Sequence, residues 1–159
     1  MNDRKPETHK LGIAGIVVVS RPDTIRTVLG SCVGIAVYDQ AVGIGGMAHI
    51  ILPSSEDGKG ARGKFADTAI DQLLNDLMGN GGRRNRLSAK IAGGASMFGT
   101  KVDGGLGVRN IEAVKRRLSH HCIPLLAEHV GGTKGRRMVL SPSTGRVEVQ
   151  VIGEELKVL

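Results

Sequence analysis

Cys32-Val-Gly-Ile-Ala-Val-Tyr38 and Ile44-Gly-Gly-Met-Ala-His-Ile-Ile-Leu52 flank the short stretch Asp39-Gln-Ala-Val-Gly43. Both flanking runs are built from β-branched and small apolar residues, and the stretch between them ends on glycine. The segment therefore reads as a β-hairpin turning at Asp39–Gly43, with Pro53 ending its second strand. Upstream lie two more extended runs, Leu11–Val19 and Thr24–Leu29, separated by a Ser20-Arg-Pro-Asp23 turn and closed by Gly30-Ser31. Downstream, Ser54–Gly63 is rich in serine, glycine and charge, which predicts a surface loop. Phe65, Ala69, Ile70, Leu73, Leu74, Leu77 and Met78 then recur at helical spacing up to Gly79-Asn-Gly-Gly82, the pattern of an amphipathic helix. Leu87–Ala92 predicts a strand and Gly93–Phe98 a glycine-rich turn. Val108, Ile111, Val114 and Leu118 predict a second helix, basic in its last turns as the helix dipole favours. A strand at Ile123–Val130 and a hairpin of Arg137–Leu140 with Arg146–Val151 complete the chain. About eight strands and two main helices predict an α+β, single-domain layered α/β sandwich over 11–159, with residues 1–10 as a flexible polar tail.

Composition bounds the function. At 159 residues, with 40% hydrophobic and 23% charged residues, the chain matches one soluble globular domain. Its 24 glycines follow no triplet repeat, which excludes collagen. The longest apolar runs are too short to span a bilayer and the N-terminus lacks an apolar signal core, so a cytoplasmic protein without stable membrane insertion is expected. Two cysteines exclude a disulfide-rich scaffold. The 22 basic against 15 acidic side chains, net +7, cluster at Lys59/Arg62/Lys64, Arg83/Arg84/Arg86, Lys115/Arg116/Arg117 and Lys134/Arg136/Arg137. Nucleic acid rewards such clusters, but only 2% of the residues are aromatic and no nucleic-acid motif accompanies the charge. A solvated face ranks first, an acidic protein partner second and an RNA-binding domain last.

Two constellations carry chemistry-bearing residues. Cys32 follows a Gly30-Ser31 bend, where freed backbone N–H groups can hold an oxyanion. Cys32 lies seven residues before Asp39 and His49 six after Gly43, so the hairpin brings both to the same end. A thiol and an imidazole in reach of each other can form a thiolate–imidazolium pair, whose cysteine would alkylate well below the ordinary thiol pKa of about 8.5. Spacing alone leaves open the alternative of a small core cysteine and a satisfied polar histidine. The second constellation is His120-His121-Cys122, with His129 further on. It lacks Cys-x-x-Cys or His-x-x-x-His spacing, so no metal is expected there, and the cluster is read as a helix end with Cys122 buried. Gly131-Gly-Thr-Lys-Gly-Arg-Arg137 precedes a strand and lacks P-loop order; it reads as a basic turn facing a substrate.

Thr27-Val-Leu-Gly-Ser-Cys32, Gly46-Met-Ala-His-Ile-Ile-Leu-Pro53, Lys64-Phe-Ala-Asp-Thr-Ala-Ile70, Ala89-Lys-Ile-Ala-Gly-Gly-Ala-Ser-Met-Phe98, Arg109-Asn-Ile111 and Val130-Gly-Gly-Thr-Lys-Gly-Arg-Arg137 occur in this order. Together they resemble the chemoreceptor glutamine deamidase family, CheD, over about Leu11 to Val151. The resemblance implies a layered sandwich shared with the catalytic domains of deamidating bacterial toxins. It implies a cytoplasmic chemotaxis enzyme that converts glutamines on chemoreceptor helices to glutamate, without metal or organic cofactor and with methylesterase chemistry also open to it. It further implies partnership with a CheC-type phosphatase, so a non-catalytic module regulating that phosphatase is the alternative function. The family's nucleophile falls on Cys32 and its general base on His49. Its third catalytic residue usually lies one position further upstream of the cysteine than Thr27 does, where a strict register puts Arg26; a one-residue deletion selects Thr27, the residue taken here. Gly30, Ser31 and Arg136 are the expected oxyanion and substrate contacts.

Overall fold

The computed structural model describes residues 4–55, 59–99 and 104–159. Along them run β1 (Thr8–Lys10), β2 (Ile16–Ser20), β3 (Thr24–Leu29), β4 (Val33–Asp39), β5 (Ile44–Ile50), α1 (Ala66–Gly79), β6 (Ser88–Gly93), α2 (Leu106–His120), β7 (Leu125–Val130), β8 (Arg136–Ser141), β9 (Arg146–Val151) and β10 (Lys157–Val158). The strands form two sheets, ordered β1-β3-β8-β9-β10 and β2-β5-β4-β6-β7. The hairpin of β4 and β5 forms as expected, with Val33 opposite Ile50, Gly34 opposite His49 and Asp39 opposite Ile44.

β4 is buried along its whole length because it is covered on both faces. Its Val33, Ile35 and Val37 face the helices, packing with Ile70, Leu73, Leu74 and Leu77 of α1 and with Val114 and Leu118 of α2. Ala36 and Tyr38 point the other way, into the layer between the sheets with Ile25, Leu29, Met47 and Met138. Full burial of each such Leu or Ile contributes about 1.5–3 kcal/mol. With so few aromatics, these two aliphatic layers hold the α+β sandwich together.

Four expectations are corrected. Thr8–Lys10, read as part of a flexible tail, is a strand: it pairs in parallel with Thr24–Arg26, and the Asp23 carboxylate accepts the Glu7 amide at 3.1 Å and meets His9 Nε2 at 2.8 Å. A polar three-residue strand has no periodicity to read, and its partners lie a turn beyond the next strand. The run read as a strand from Leu11 begins instead at Ile16; Leu11–Gly15 folds as a loop with Ala14 at φ 61°. Cys32 belongs to the bend, one residue before β4. Cys122 is exposed: α2 ends at His120, and Ile123 takes the buried place under Leu118. The expected loop at Ser54–Gly63 lies partly outside the described residues, and its last two residues enter a 3-10 turn at Arg62–Lys64.

Candidate active site

β3 carries Ile25, Thr27 and Leu29 on its inner face and Arg26 and Val28 on the other, by ordinary strand alternation. On β5 the same alternation aligns His49 with Met47, toward the layer between the sheets. Thr27 of one sheet and His49 of the other therefore meet across that layer, both almost fully buried, with Thr27 Oγ1 2.7 Å from His49 Nδ1. Thr27 also donates its hydroxyl hydrogen to the Leu11 carbonyl at 2.8 Å. A hydroxyl has one hydrogen to give, so toward His49 it is the acceptor. His49 is thereby held as the tautomer protonated on Nδ1, leaving Nε2 with a free lone pair. Thr27, and not Arg26, reaches the ring.

The Leu11–Gly15 loop closes over this pair. The Ala14 amide donates to the His49 carbonyl at 3.0 Å and the His49 amide to the Gly15 carbonyl at 3.1 Å. The loop's part in orienting the site was missed, because its apolar residues merge in sequence with the strand that follows. A cleft of about 500 Å³ opens beside it, lined by Leu11, Arg26, Thr27, His49 and Arg137.

Cys32 packs half-buried against the layer between the sheets, on the hairpin face that Gly34 shares with His49. It lies outside the wall of that cleft; Gly30, two residues back, lines a neighbouring cavity of about 550 Å³ that shares Val28 and Arg137 with the first. The bend is tied down through its carbonyls: Gly30 accepts from the Ala95 amide at 2.9 Å, Ser31 from Asn110 Nδ2 at 3.1 Å and Cys32 from the Gly94 amide at 2.8 Å. Gly93 has φ 107°, and a Cβ there would meet the Cys32 carbonyl oxygen at 2.2 Å, so only glycine permits this approach. Among the described residues the amides of Ser31 and Cys32 donate to no backbone carbonyl, and the Cys32 amide lies against its own sulfur.

The expected thiolate–imidazolium pair finds no support in the resting geometry. Burial raises the Cys32 thiol above its ordinary value, outweighing the pull of its own amide, and burial lowers His49. Both shifts favour the neutral forms, and no hydrogen bond joins the sulfur to the ring among the described residues.

Arg136, expected to face a substrate, turns inward. Its guanidinium donates to His129 Nδ1 at 2.9 Å, to the carbonyls of His129 and Lys134, and to the Gly131 carbonyl. Its Nε is buried without a partner among the described residues. Four of its five N–H groups are spent on bracing the 129–134 turn. Asn110, fully buried on α2, is the other polar group at the site that sequence reasoning gave no role. Its phase with Val114 and Leu118, an amide in an otherwise apolar stripe, was the available signal.

Comparison with known proteins places this chain in a family. Residues 51–151 match the family model described as CheD chemotactic sensory transduction. The chain is 47% identical to "Chemoreceptor glutamine deamidase CheD" of Halalkalibacterium halodurans, covering 90% of this chain and 93% of that one. It is 47% identical to "Probable chemoreceptor glutamine deamidase CheD" of Moorella thermoacetica, over 98% and 97%, and 43% identical to the protein of that name from Geobacillus kaustophilus, over 93% and 94%. Among solved structures, the hypothetical protein YfiH of Bacillus licheniformis aligns at 16% identity and a TM-score of 0.48, over 72% of this chain and 49% of that one. The chain belongs to the CheD family. No helix among the described residues is long and apolar enough to cross a membrane.

Proposed function

We propose that this protein is a cytoplasmic chemoreceptor glutamine deamidase, an amidohydrolase that converts glutamine side chains on receptor helices to glutamate with Cys32 as nucleophile and His49 as general base. The observation that carries the reading is the chain from His49 Nδ1–H to Thr27 Oγ1 to the Leu11 carbonyl, which leaves Nε2 as the ring's only acceptor, on the hairpin face that Cys32 also occupies.

From neutral partners, His49 Nε2 takes the Cys32 proton as the sulfur attacks the carboxamide carbon. The carbonyl π electrons move to oxygen, and the Cys32 amide, which donates to no backbone carbonyl among the described residues, donates to the oxyanion. The imidazolium then protonates the leaving nitrogen, the C–N bond breaks, and ammonia departs to leave a thioester. Water attacks the thioester carbon while His49 removes its proton; C–S cleavage leaves a glutamate side chain on the receptor, and the imidazolium returns its proton to the Cys32 sulfur. Thr27 keeps the ring in one tautomer throughout, as the third member of a triad does. A receptor helix rich in glutamate suits the Arg26 and Arg137 side of the cleft, and a CheC-type phosphatase is the regulatory partner.

Mass spectrometry of a chemoreceptor cytoplasmic fragment incubated with the protein in heavy-oxygen water tests this. Glutamine-to-glutamate conversion with heavy oxygen in the new carboxyl is expected for the wild type, and none for Cys32→Ala. Conversion that continues in Cys32→Ala removes the assignment.

A further inference from the structure

Asn110 lies one turn into α2, in phase with Val114 and Leu118, where an apolar residue would continue the buried stripe. It is fully buried, and its two Nδ2 hydrogens go to two carbonyls: Ser31 at 3.1 Å and Ile51 at 2.9 Å. The first precedes Cys32 and the second lies two residues past His49. Its Oδ1 has no partner among the described residues. An unpaired buried acceptor costs free energy that a leucine at this position would not, so packing alone is a poor account of the residue. α2 comes this close because Gly107 faces the glycine turn; a Cβ there would meet the Gly94 carbonyl oxygen at 2.4 Å.

We propose that Asn110 is a positioning residue for the oxyanion site, aiming the Cys32 amide by holding the Ser31 carbonyl inward. In a planar trans peptide the C=O and the following N–H point in opposite directions. Drawing the Ser31 oxygen toward α2 therefore turns the Cys32 N–H away from the protein interior, toward the side from which a carboxamide arrives. The carbonyls on either side, Gly30 and Cys32, are held by the Ala95 and Gly94 amides, so the bend cannot swivel to relieve the peptide between them. The same side chain, by gripping Ile51, ties the strand of His49 to the bend of Cys32. This role rests on the deamidase reading above.

The test separates two reactions of one sulfur. Alkylation of Cys32 by iodoacetamide displaces iodide and builds no oxyanion, whereas attack on a carboxamide does. In Asn110→Leu, which keeps the forked shape and loses both donors, kcat for receptor-fragment deamidation is expected to fall about ten- to a hundredfold with KM unchanged. Cys32 alkylation, followed by peptide mapping, should stay within about twofold of wild type. Asn110→Ala should behave in the same way. Alkylation that falls in step with turnover, or turnover that does not fall, overturns the proposal. So does failure of both variants to fold, since Asn110 would then be structural. A wild-type protein that converts no receptor glutamine overturns the deamidase reading itself, and this role with it.

Discussion

The molecule has two places where cysteine and histidine lie together, and they differ in what holds them. Cys32 and His49 are 17 residues apart in sequence, yet the hairpin register and a hydrogen bond from the opposite sheet put them on one face with the ring fixed. His120, His121 and Cys122 are contiguous, yet only the two imidazoles meet, edge to face with centroids 5.1 Å apart, while the thiol is left exposed. His121 Nδ1 accepts from Arg84 at 2.8 Å, so its Nε2 donates to Asp71 at 2.6 Å. Burial opposes ionising Asp71, but hydrogen bonds from Arg117 and His121 outweigh it and hold the carboxyl below its ordinary value. His121 thus fastens α2 to α1 and to the turn at Arg84. Cys122 points to solvent beyond the helix end. Adjacency in sequence makes a cap here; adjacency in register makes a candidate site.

The strongest way to break this comparison is to exchange the roles of the two thiols. Cys32→Ala is expected to lower deamidation at least about a thousandfold, while Cys122→Ala leaves it unchanged within about twofold. Ammonia release measures both. Comparable losses in the two variants would mean that register does not distinguish the sites. Next in size is Thr27→Val, which keeps the shape and removes the acceptor that selects the His49 tautomer. A fall in kcat of about ten- to a hundredfold is expected, with Thr27→Ser recovering most of it. An undiminished Thr27→Val would show that the Leu11–Thr27–His49 chain is structural.

The pH behaviour sharpens the contrast further. The Cys32 thiol is raised by burial, so its alkylation in the free protein should reach half its maximal rate above the ordinary thiol midpoint of about 8.5. This reverses the sequence expectation of an activated thiolate. His49 is lowered by burial and must be neutral to accept a proton, so activity should be lost only as pH falls below the ordinary imidazole midpoint of about 6.5. A rate profile falling already above that midpoint would contradict a desolvated base.

How far the site could be read in advance follows from the same distinction. The hairpin was legible because turn residues at Asp39–Gly43 punctuate two β-branched runs, and with it the common end of Cys32 and His49. The choice between Arg26 and Thr27 was left open in the sequence; the available signal was that Ile25 and Leu29 share the phase of position 27 and alternate with position 26. What could not be read came from contacts far apart in sequence. Nothing near Leu11 marks its carbonyl as the end of a hydrogen-bonded chain, and nothing in a row of basic residues says that Arg136 folds back onto His129 while Arg137 borders the cleft. Pairing follows from topology alone, whereas burial of the two partners, which no sequence spacing reveals, pushes each toward its neutral form.

The smallest expected effect concerns the second cluster alone. The Cys122 amide donates to the Ser119 carbonyl and the Ile123 amide to the Leu118 carbonyl, both at 3.0 Å, while Ile123 packs with Leu118 in the helix-side core. This is the Schellman arrangement, and Cys122 occupies its left-handed position at φ 57°. Glycine takes that conformation without a Cβ penalty, which costs other residues about 1–2 kcal/mol. Part of this gain is offset by glycine's greater freedom in the unfolded chain. Cys122→Gly should therefore raise stability to denaturant by about 0.5–1 kcal/mol and leave deamidation untouched. A loss of stability would mean that the thiol makes a packing contribution its exposure does not suggest. A loss of activity would tie this helix end to the catalytic bend, and the division drawn between the two clusters would have to be abandoned.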